Sequence, residues 1–333
     1  MILKITNLKN RFNLLLQSTI VRQSLLILSV LALSACANQT AKPALEMASP
    51  ISSVTPKALN MSEIIAASKA SEWRTLNPEN LLVMQTARGT LVIELASAFA
   101  PEHVKNLKAL AREGYFDGLA ITRSQDNFVV QWGDPNAEDK SKRKPIKTAR
   151  STLPPEFEIA ISQAPDFTKL PDFDGYAPEV GFSNGFPVGR DPAAGLVWPA
   201  HCYGAVGAGR DVAVESGSGL ELYAVTGHAP RQLDRNISIV GRIVSGIEVL
   251  SVSARGPAPM GFYDKAELRT QIISVKIGSD LARDTRPALE ALRTDSASFK
   301  ALIEARRNRK DDWYKRPAGY IDLCSVPLPV RGN

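Results

Sequence analysis

The sequence predicts a mainly β protein whose body is an antiparallel barrel, followed by a helical C-terminal extension. Short apolar runs rich in β-prone residues recur between positions 81 and 277, separated by turn residues. Long helical periodicity occurs near the start of this body and then gives way to strand patterns. Many strands with a helix covering one end are typical of an antiparallel barrel.

The body begins with a predicted β-hairpin and a helix. The runs Leu81–Thr86 and Thr90–Leu95 flank Ala87-Arg88-Gly89, a short glycine-containing connection typical of a hairpin. Pro101 opens the helix, because the first helical position does not need the missing N–H group, and Gly114 ends it. Four apolar residues share one face of this helix: Val104, Leu107, Leu110 and Ala111.

Further apolar runs predict the remaining strands. They lie around 119–123, 128–132, 203–206, 220–226, 237–243 and 270–277, with a short helix over 246–251. Residues 136–200 are predicted to be a loop-rich insertion with short strands, because six prolines between 165 and 199 leave no room for a long helix.

Helical periodicity returns after the body, which is assigned to residues 73–280. Residues 281–333 are therefore predicted to form a helical C-terminal extension, with its pattern between Arg286 and Arg307. Its expected docking face consists of Leu289, Leu292, Phe299, Leu302 and Ile303.

The N-terminus has the pattern of an export signal. Residues 1–36 contain four basic residues and no acidic ones, and the apolar run Leu25–Ala35 is too short to span a bilayer. Leu33-Ser34-Ala35-Cys36 resembles the lipobox of bacterial lipoproteins, which implies a signal peptide over 1–35 and lipidation with palmitate-type chains at Cys36. The alternative is an ordinary cleaved signal in which Cys36 is incidental.

The residue after the cysteine bears on the destination. In the lipoprotein family an aspartate there indicates retention at the inner membrane, whereas this chain has Ala37. The expectation is a protein anchored by lipid to the periplasmic face of the outer membrane. Residues 36–72 begin with a stretch rich in Ala, Ser, Thr, Pro and Lys, which is typical of a flexible tether.

Charge gives no indication of nucleic-acid binding. The full chain carries a net charge of +6, and the four bases of the signal account for most of it, leaving about +2. The basic run Arg306–Lys310 is followed at once by Asp311 and Asp312, which favours a solvated helix face.

Three segments of the body resemble cyclophilin-type peptidyl-prolyl cis-trans isomerases. Residues 89–118 contain Ala100-Pro101 at the helix start and end in GYFDG, and residues 121–135 contain the family's Gln-x-Gly-Asp pattern. Residues 220–250 resemble the closing block, with a Leu-Asp turn followed by GRIVSGIEV. The resemblance implies a closed eight-stranded antiparallel barrel capped by two helices.

The resemblance also implies the site residues. It places the family's catalytic arginine at Arg123 and its backbone-binding glutamine at Gln131. The apolar floor of the proline pocket falls on Phe128, Tyr223 and Leu233.

Several pocket positions depart from the family pattern. The residues before the arginine are Ile121 and Thr122, and Glu221-Leu222 replace a usual glutamine and aromatic pair. Gln232 and Ile237 stand where the family has its pocket tryptophan and histidine.

The expected activity is isomerisation of X–Pro bonds in unfolded or envelope proteins by a monomer, without metal or cofactor. The departures leave open a rival in which the same fold binds proline-containing chains with little or no turnover. A more distant alternative is a serine hydrolase, because Gly181–Gly185 matches the GxSxG pattern around Ser183. That motif needs a helix directly afterwards, and Pro187 is unfavourable for one.

Two cysteines remain after Cys36. An exported protein meets an oxidising compartment, so Cys202 and Cys324 are candidates for a disulfide that joins the C-terminal extension to the barrel. Two independent buried thiols are the alternative.

Overall fold

The structure is a computed structural model that describes residues 59–136, 139, 141–311 and 313–332. The predicted signal peptide over 1–35, its Cys36 and most of the tether lie outside these residues. Among the described helices, none combines the length and the apolar character needed to cross a membrane.

The described residues contain four α-helices and sixteen strands. The helices are α1 (Met61–Ala67), α2 (Pro101–Arg112), α3 (Glu248–Ser251) and α4 (Ala297–Arg307). The first eight strands are β1 (Trp73–Thr75), β2 (Leu81–Thr86), β3 (Gly89–Leu95), β4 (Ala120–Ser124), β5 (Val129–Gly133), β6 (Ile159–Ala160), β7 (Phe167–Lys169) and β8 (Glu179–Ser183). The others are β9 (Phe186–Asp191), β10 (Leu196–Pro199), β11 (Ala205–Ala208), β12 (Leu222–Val225), β13 (Ile239–Ser245), β14 (Ile272–Ile277), β15 (Leu289–Leu292) and β16 (Val330–Gly332).

Eight antiparallel strands form the predicted barrel. Their order is β14-β2-β3-β13-β11-β12-β5-β4. The two edge strands meet through a bridge between Ala120 and Gln271 and a hydrogen bond of 2.9 Å from the Ile121 amide to the Thr270 carbonyl. This contact closes the sheet and satisfies backbone groups that an open edge would leave unpaired. The expected fold class is confirmed.

The barrel core is continuous with the two capping helices. The predicted apolar face of α2 is buried against it, with Leu107 and Leu110 fully inaccessible to solvent. Val249 and Leu250 of the short α3 belong to the same cluster. Glu156 lies at the N-terminus of α2, where its carboxylate accepts hydrogen bonds from the amides of Glu102 and His103 at 3.0 and 2.9 Å.

The insertion over 136–200 is more regular than predicted. Strands β6 to β10 form a five-stranded antiparallel sheet in the order β6-β10-β9-β8-β7. Its short strands were expected, but their assembly into one sheet was not. The apolar residues between the prolines are buried in a core that they share with β1, β15 and α4: Phe182 and Trp198 are almost completely inaccessible to solvent. Pro187 and Pro199 are paired positions within this sheet, which proline spacing alone does not indicate.

The predicted tether and extension also need correction. Residues 61–67 form α1, which begins with a capping box between Asn60 and Glu63, so the end of the tether is helical. The extension contains α4 but also β15 and β16, which pair with β1 in a three-stranded sheet. Leu289 and Leu292, expected on a helix face, lie on β15, while Phe299, Leu302 and Ile303 are buried on α4 as expected.

Candidate proline-binding site

One cavity of about 700 Å³ lies on the outside of the barrel. It is bounded by β4, β5 and β12, by the turn Arg231–Leu233 and by the loop that carries Met260 and Phe262. All five residues expected at the site, Arg123, Phe128, Gln131, Tyr223 and Leu233, line this cavity.

Register explains how residues far apart in sequence come together here. Arg123 pairs with Gln131 across β4 and β5, Gln131 pairs with Tyr223 across β5 and β12, and Tyr223 pairs with Gly207 across β12 and β11. A bulge between Ile121 and Arg123 sets the first of these pairings. The four residues therefore form one row across four strands.

The guanidinium of Arg123 is held in place by its neighbours. Its Nε donates to the Met260 carbonyl at 2.6 Å, one Nη donates to Oε1 of Gln131 at 3.2 Å, and the other contacts Gln125. Its carbon Cζ lies 4.9 Å from the ring centroid of Phe262 and 5.7 Å from that of Phe128. These aromatic contacts restrict the side chain further.

The guanidinium of Arg123 keeps donors for a ligand and remains charged. The three hydrogen bonds use three of the five N–H donors of a guanidinium, so within the described residues two donors remain for a ligand. Burial lowers the pKa of Arg123, and the nearby Glu221 carboxylate opposes that shift. The group is a charged donor at neutral pH, since arginine does not lose its proton in proteins.

Gln131 links the arginine to the far side of the cavity. Its Nε2 donates to Oε2 of Glu221 at 3.0 Å, while its Oε1 accepts from Arg123. The side chain is 8% exposed, so these two contacts fix the orientation of its amide.

The apolar half of the cavity faces the arginine. Phe128 and Ile237 pack on a small cluster that includes Val129, Tyr223 and Ile239. Leu233 comes from the short turn Arg231–Leu233 and completes the wall. The cavity thus combines a charged donor with an apolar wall.

The family follows from a comparison with sequence models. Residues 81–277 match the model for cyclophilin type peptidyl-prolyl cis-trans isomerase/CLD. This match covers the whole barrel and more than half of the chain. The protein belongs to the cyclophilin family.

Relatives support the assignment over shorter stretches. The chain is 32% identical over 127 residues to peptidyl-prolyl cis-trans isomerase-like 2 of Gibberella zeae, which covers 37% of this chain and 21% of the relative. It is 44% identical over 52 residues to peptidyl-prolyl cis-trans isomerase ppi1 of Schizosaccharomyces pombe, covering 16% and 34% respectively. The matched stretches thus span about a fifth to a third of these curated relatives.

A solved structure matches over a larger part. The cyclophilin AquaCyp293 from Hirschia baltica superposes with a TM-score of 0.62 at 26% identity, covering 81% of this chain and 96% of that one. This coverage exceeds the family-model match, so the likeness includes residues outside the barrel.

The residues that depart from the cyclophilin pattern differ in where they lie relative to the cavity. Gln232 is exposed on its turn, whereas Ile237 lines the cavity as an apolar residue. Thr122 is a buried residue of the cavity wall, and its hydroxyl lies 3.4 Å from the Gln131 carbonyl. Glu221 is at the polar end of the cavity beside Gln131.

Sequence reasoning missed Met260 and Phe262, which contact Arg123. They lie beyond the last segment of the resemblance, and a bridge between Phe262 and Arg123 brings them to the site. It also missed His201, which contacts Tyr223 from behind the cavity. Both contacts depend on tertiary structure, and no local pattern in the chain signals them.

The geometry around Ser183 is not that of a nucleophile elbow. Ser183 ends β8 and a tight turn leads into β9, so a strand follows where the motif requires a helix. The residue is 1% exposed, and its hydroxyl donates to the Pro165 carbonyl at 2.9 Å. The hydrolase alternative is therefore wrong.

Cys202 and Cys324 form a disulfide in the structure, with an S–S distance of 2.05 Å and a Cα–Cα distance of 4.9 Å. Cys202 lies between β10 and β11, and Cys324 lies on a short turn near the C-terminus. The bond therefore connects the C-terminal segment to the region where the inserted sheet joins the cyclophilin barrel.

Proposed function

We propose that this cyclophilin catalyses cis-trans isomerisation of X–Pro bonds in the cavity around Arg123. The observation that carries the proposal is the position of the guanidinium, which in the described part of the chain keeps two donors for a ligand opposite an apolar wall. A proline-containing peptide needs these two surfaces, one for its ring and one for its nitrogen.

The chemistry follows from the electronic structure of the imide. Resonance opposes rotation about the X–Pro bond, with a barrier of about 18–20 kcal/mol. When the bond is twisted, resonance is lost and the prolyl nitrogen regains a lone pair that can accept a hydrogen bond. A guanidinium aimed at that nitrogen binds the twisted state more tightly than the planar ones, which is the requirement for acceleration.

The hydrogen bond from Arg123 to the prolyl nitrogen determines the size of this rate effect. A hydrogen bond to a charged group contributes about 1.5–3 kcal/mol, which corresponds to about one to two decades in rate. Phe128, Tyr223 and Leu233 hold the proline ring while the preceding carbonyl swings, and Gln131 binds the adjacent backbone. No nucleophile takes part in this mechanism.

A comparison of two variants tests the proposal. Arg123→Ala should lower kcat by about tenfold or more and change KM little, because its bond belongs to the twisted state. Phe128→Ala should raise KM and lower kcat/KM, because the ring contacts proline in every state. Both constants are measured on a proline-containing peptide by NMR exchange, with the exposed Arg283→Ala as control.

One observation favours a second candidate, a cyclophilin fold that binds proline-containing chains with little turnover. The guanidinium of Arg123 already has three protein contacts, which restrict its approach to a substrate nitrogen. A folded wild type that binds the peptide without accelerating exchange would establish this alternative. An active enzyme unaffected by Arg123→Ala would instead move the chemistry to another residue.

We further propose that the protein works as a monomer on envelope proteins, anchored by lipid at Cys36 on the periplasmic face of the outer membrane. The lipobox-like Leu33–Cys36 supports anchoring, and the disulfide is typical of an oxidising compartment.

Labelled fatty acid should enter the wild type, and Cys36→Ala should abolish both the label and the membrane association. Unlabelled wild type in the soluble periplasm would contradict this.

A further inference from the structure

Behind the cavity, Tyr223 makes a hydrogen bond that the proposed isomerisation does not use. Its hydroxyl lies 2.8 Å from Nε2 of His201, a residue with 0% exposure. The two rings are nearly parallel, with an interplanar angle of 8° and centroids 6.2 Å apart. Tyr223 therefore lines the cavity while its hydroxyl is bound inside the protein.

His201 is itself held by a chain of buried charges. Its Nδ1 and its backbone amide lie 2.9 and 2.8 Å from Oδ1 of Asp234. The other carboxylate oxygen of Asp234 accepts from Nε of Arg231 at 2.6 Å. The Nη atoms of Arg231 donate to both carboxylate oxygens of Asp174, at 2.9 and 3.2 Å. All five residues, Tyr223, His201, Asp234, Arg231 and Asp174, are at least nine-tenths buried.

The partners define the proton positions. A carboxylate accepts but does not donate, so Nδ1 of His201 carries a proton towards Asp234. In the neutral ring Nε2 then accepts the hydroxyl proton of Tyr223. Burial raises the pKa of Tyr223 above its ordinary value, which keeps that proton in place.

Burying such a chain of polar and charged side chains has a desolvation cost. Buried polar groups destabilise the fold unless every member finds a partner, and apolar side chains would avoid that cost. One end and the middle of the chain, however, lie at the apolar wall of the cavity. Tyr223 is one part of that wall, and Arg231 and Asp234 flank Leu233, which is another. The far end, Asp174, belongs to the insertion over 136–200.

We propose that His201 is a positioning residue for the proline pocket, and that Asp234 and Arg231 extend this support to Asp174 of the insertion. The inference rests on the proposed function of the cavity and assigns a role to part of the insertion. His201 does not touch the peptide. It fixes the plane of the Tyr223 ring, while the turn that binds it fixes Leu233.

The test compares two buried histidines. His201→Leu removes both ring contacts, whereas His201→Gln keeps an acceptor within reach of the Tyr223 hydroxyl. His103→Leu is the matched control, because His103 is 1% exposed and also pairs with a carboxylate, Glu156, but its other ring nitrogen bonds the Gly217 carbonyl. For each variant we measure kcat and KM, the peptide Kd by NMR titration, and Tm.

The expected result is a separation of binding from turnover. His201→Leu should raise KM and Kd about tenfold with kcat within about threefold, because the ring contact serves all states of the bond. His201→Gln should recover most of the loss, and His103→Leu should lower Tm without raising KM. Asp174→Ala, which removes the carboxylate that binds Arg231, should raise KM by a smaller factor.

Several outcomes would overturn the proposal. A folded His201→Leu protein with wild-type KM and Kd is one, and an equal rise in KM for His103→Leu is another. If His201→Leu does not fold, Tyr223→Phe removes only the hydroxyl, and unchanged KM and Kd in that variant would be equally decisive. A wild type without turnover would defeat the proposed function, whereas the Kd comparison would still decide the role of His201.

Discussion

The ring of Tyr223 lies directly against the backbone of Gly207, its paired residue on the neighbouring strand. A Cβ atom at Gly207 would lie 2.3 Å from the Tyr223 hydroxyl oxygen and 2.4 Å from Cζ. The glycine is therefore required because a larger residue would not fit. Backbone conformation is not the reason, since Gly207 is outside the left-handed region. This close approach lets the phenol pass over β11 to His201.

Gly207→Ala should consequently disturb the proposed proline pocket. The added methyl group must displace the Tyr223 ring, because contacts this short do not occur in folded proteins and a packed ring has little room to move. We expect a rise of about tenfold in KM for a proline peptide, with a smaller change in kcat. Gly332→Ala is the control, because there the nearest atom is 4.0 Å from the new Cβ. A Gly207→Ala protein with wild-type KM would show that the ring position is not critical.

The disulfide should contribute to stability through the unfolded chain. It closes a loop between residues separated by 122 positions, and bonds of this kind typically stabilise by about 2–4 kcal/mol. Cys324→Ser, Cys202→Ser and reduced wild type should therefore share one lowered Tm, measured by differential scanning fluorimetry. The double variant should be no less stable than either single one. Unchanged Tm after complete reduction would contradict the prediction.

Glu156 should make stability depend on pH in the acidic range. Burial alone would raise the pKa of Glu156, but hydrogen bonds from the His103 ring and from the amides of Glu102 and His103 outweigh it and lower the pKa below its usual 4.5. A carboxylate with a lowered pKa stabilises the fold above the unfolded value, and this contribution is lost as pH falls through the folded value.

The measurement is Tm against pH for the wild type and Glu156→Gln. The wild type should be more stable at neutral pH, and the difference should shrink as pH falls below about 4.5. A difference that stays constant down to about pH 3 would show that the ionised form of Glu156 has no special role.

Local patterns were sufficient where neighbours in sequence are also neighbours in space. The hairpin of β2 and β3 and the helix that Pro101 opens depend on period and turn residues within a few positions. The same reasoning failed at Leu289 and Leu292, whose spacing fits a helix. Their strand is stabilised by partners at Trp73–Thr75 and Val330–Gly332, which no local window contains.

The amino-acid sequence was sufficient for the family resemblance, because the motifs occur in the family's order and spacing, and that resemblance implied the closed barrel and five residues that line the cavity. Tertiary structure alone decided what supports them. Register placed Arg123, Gln131, Tyr223 and Gly207 in one row, and chain folding brought Met260 to the guanidinium and His201 to the phenol. Contacts between distant segments depend on how the whole chain packs, and a linear pattern carries no information about that packing.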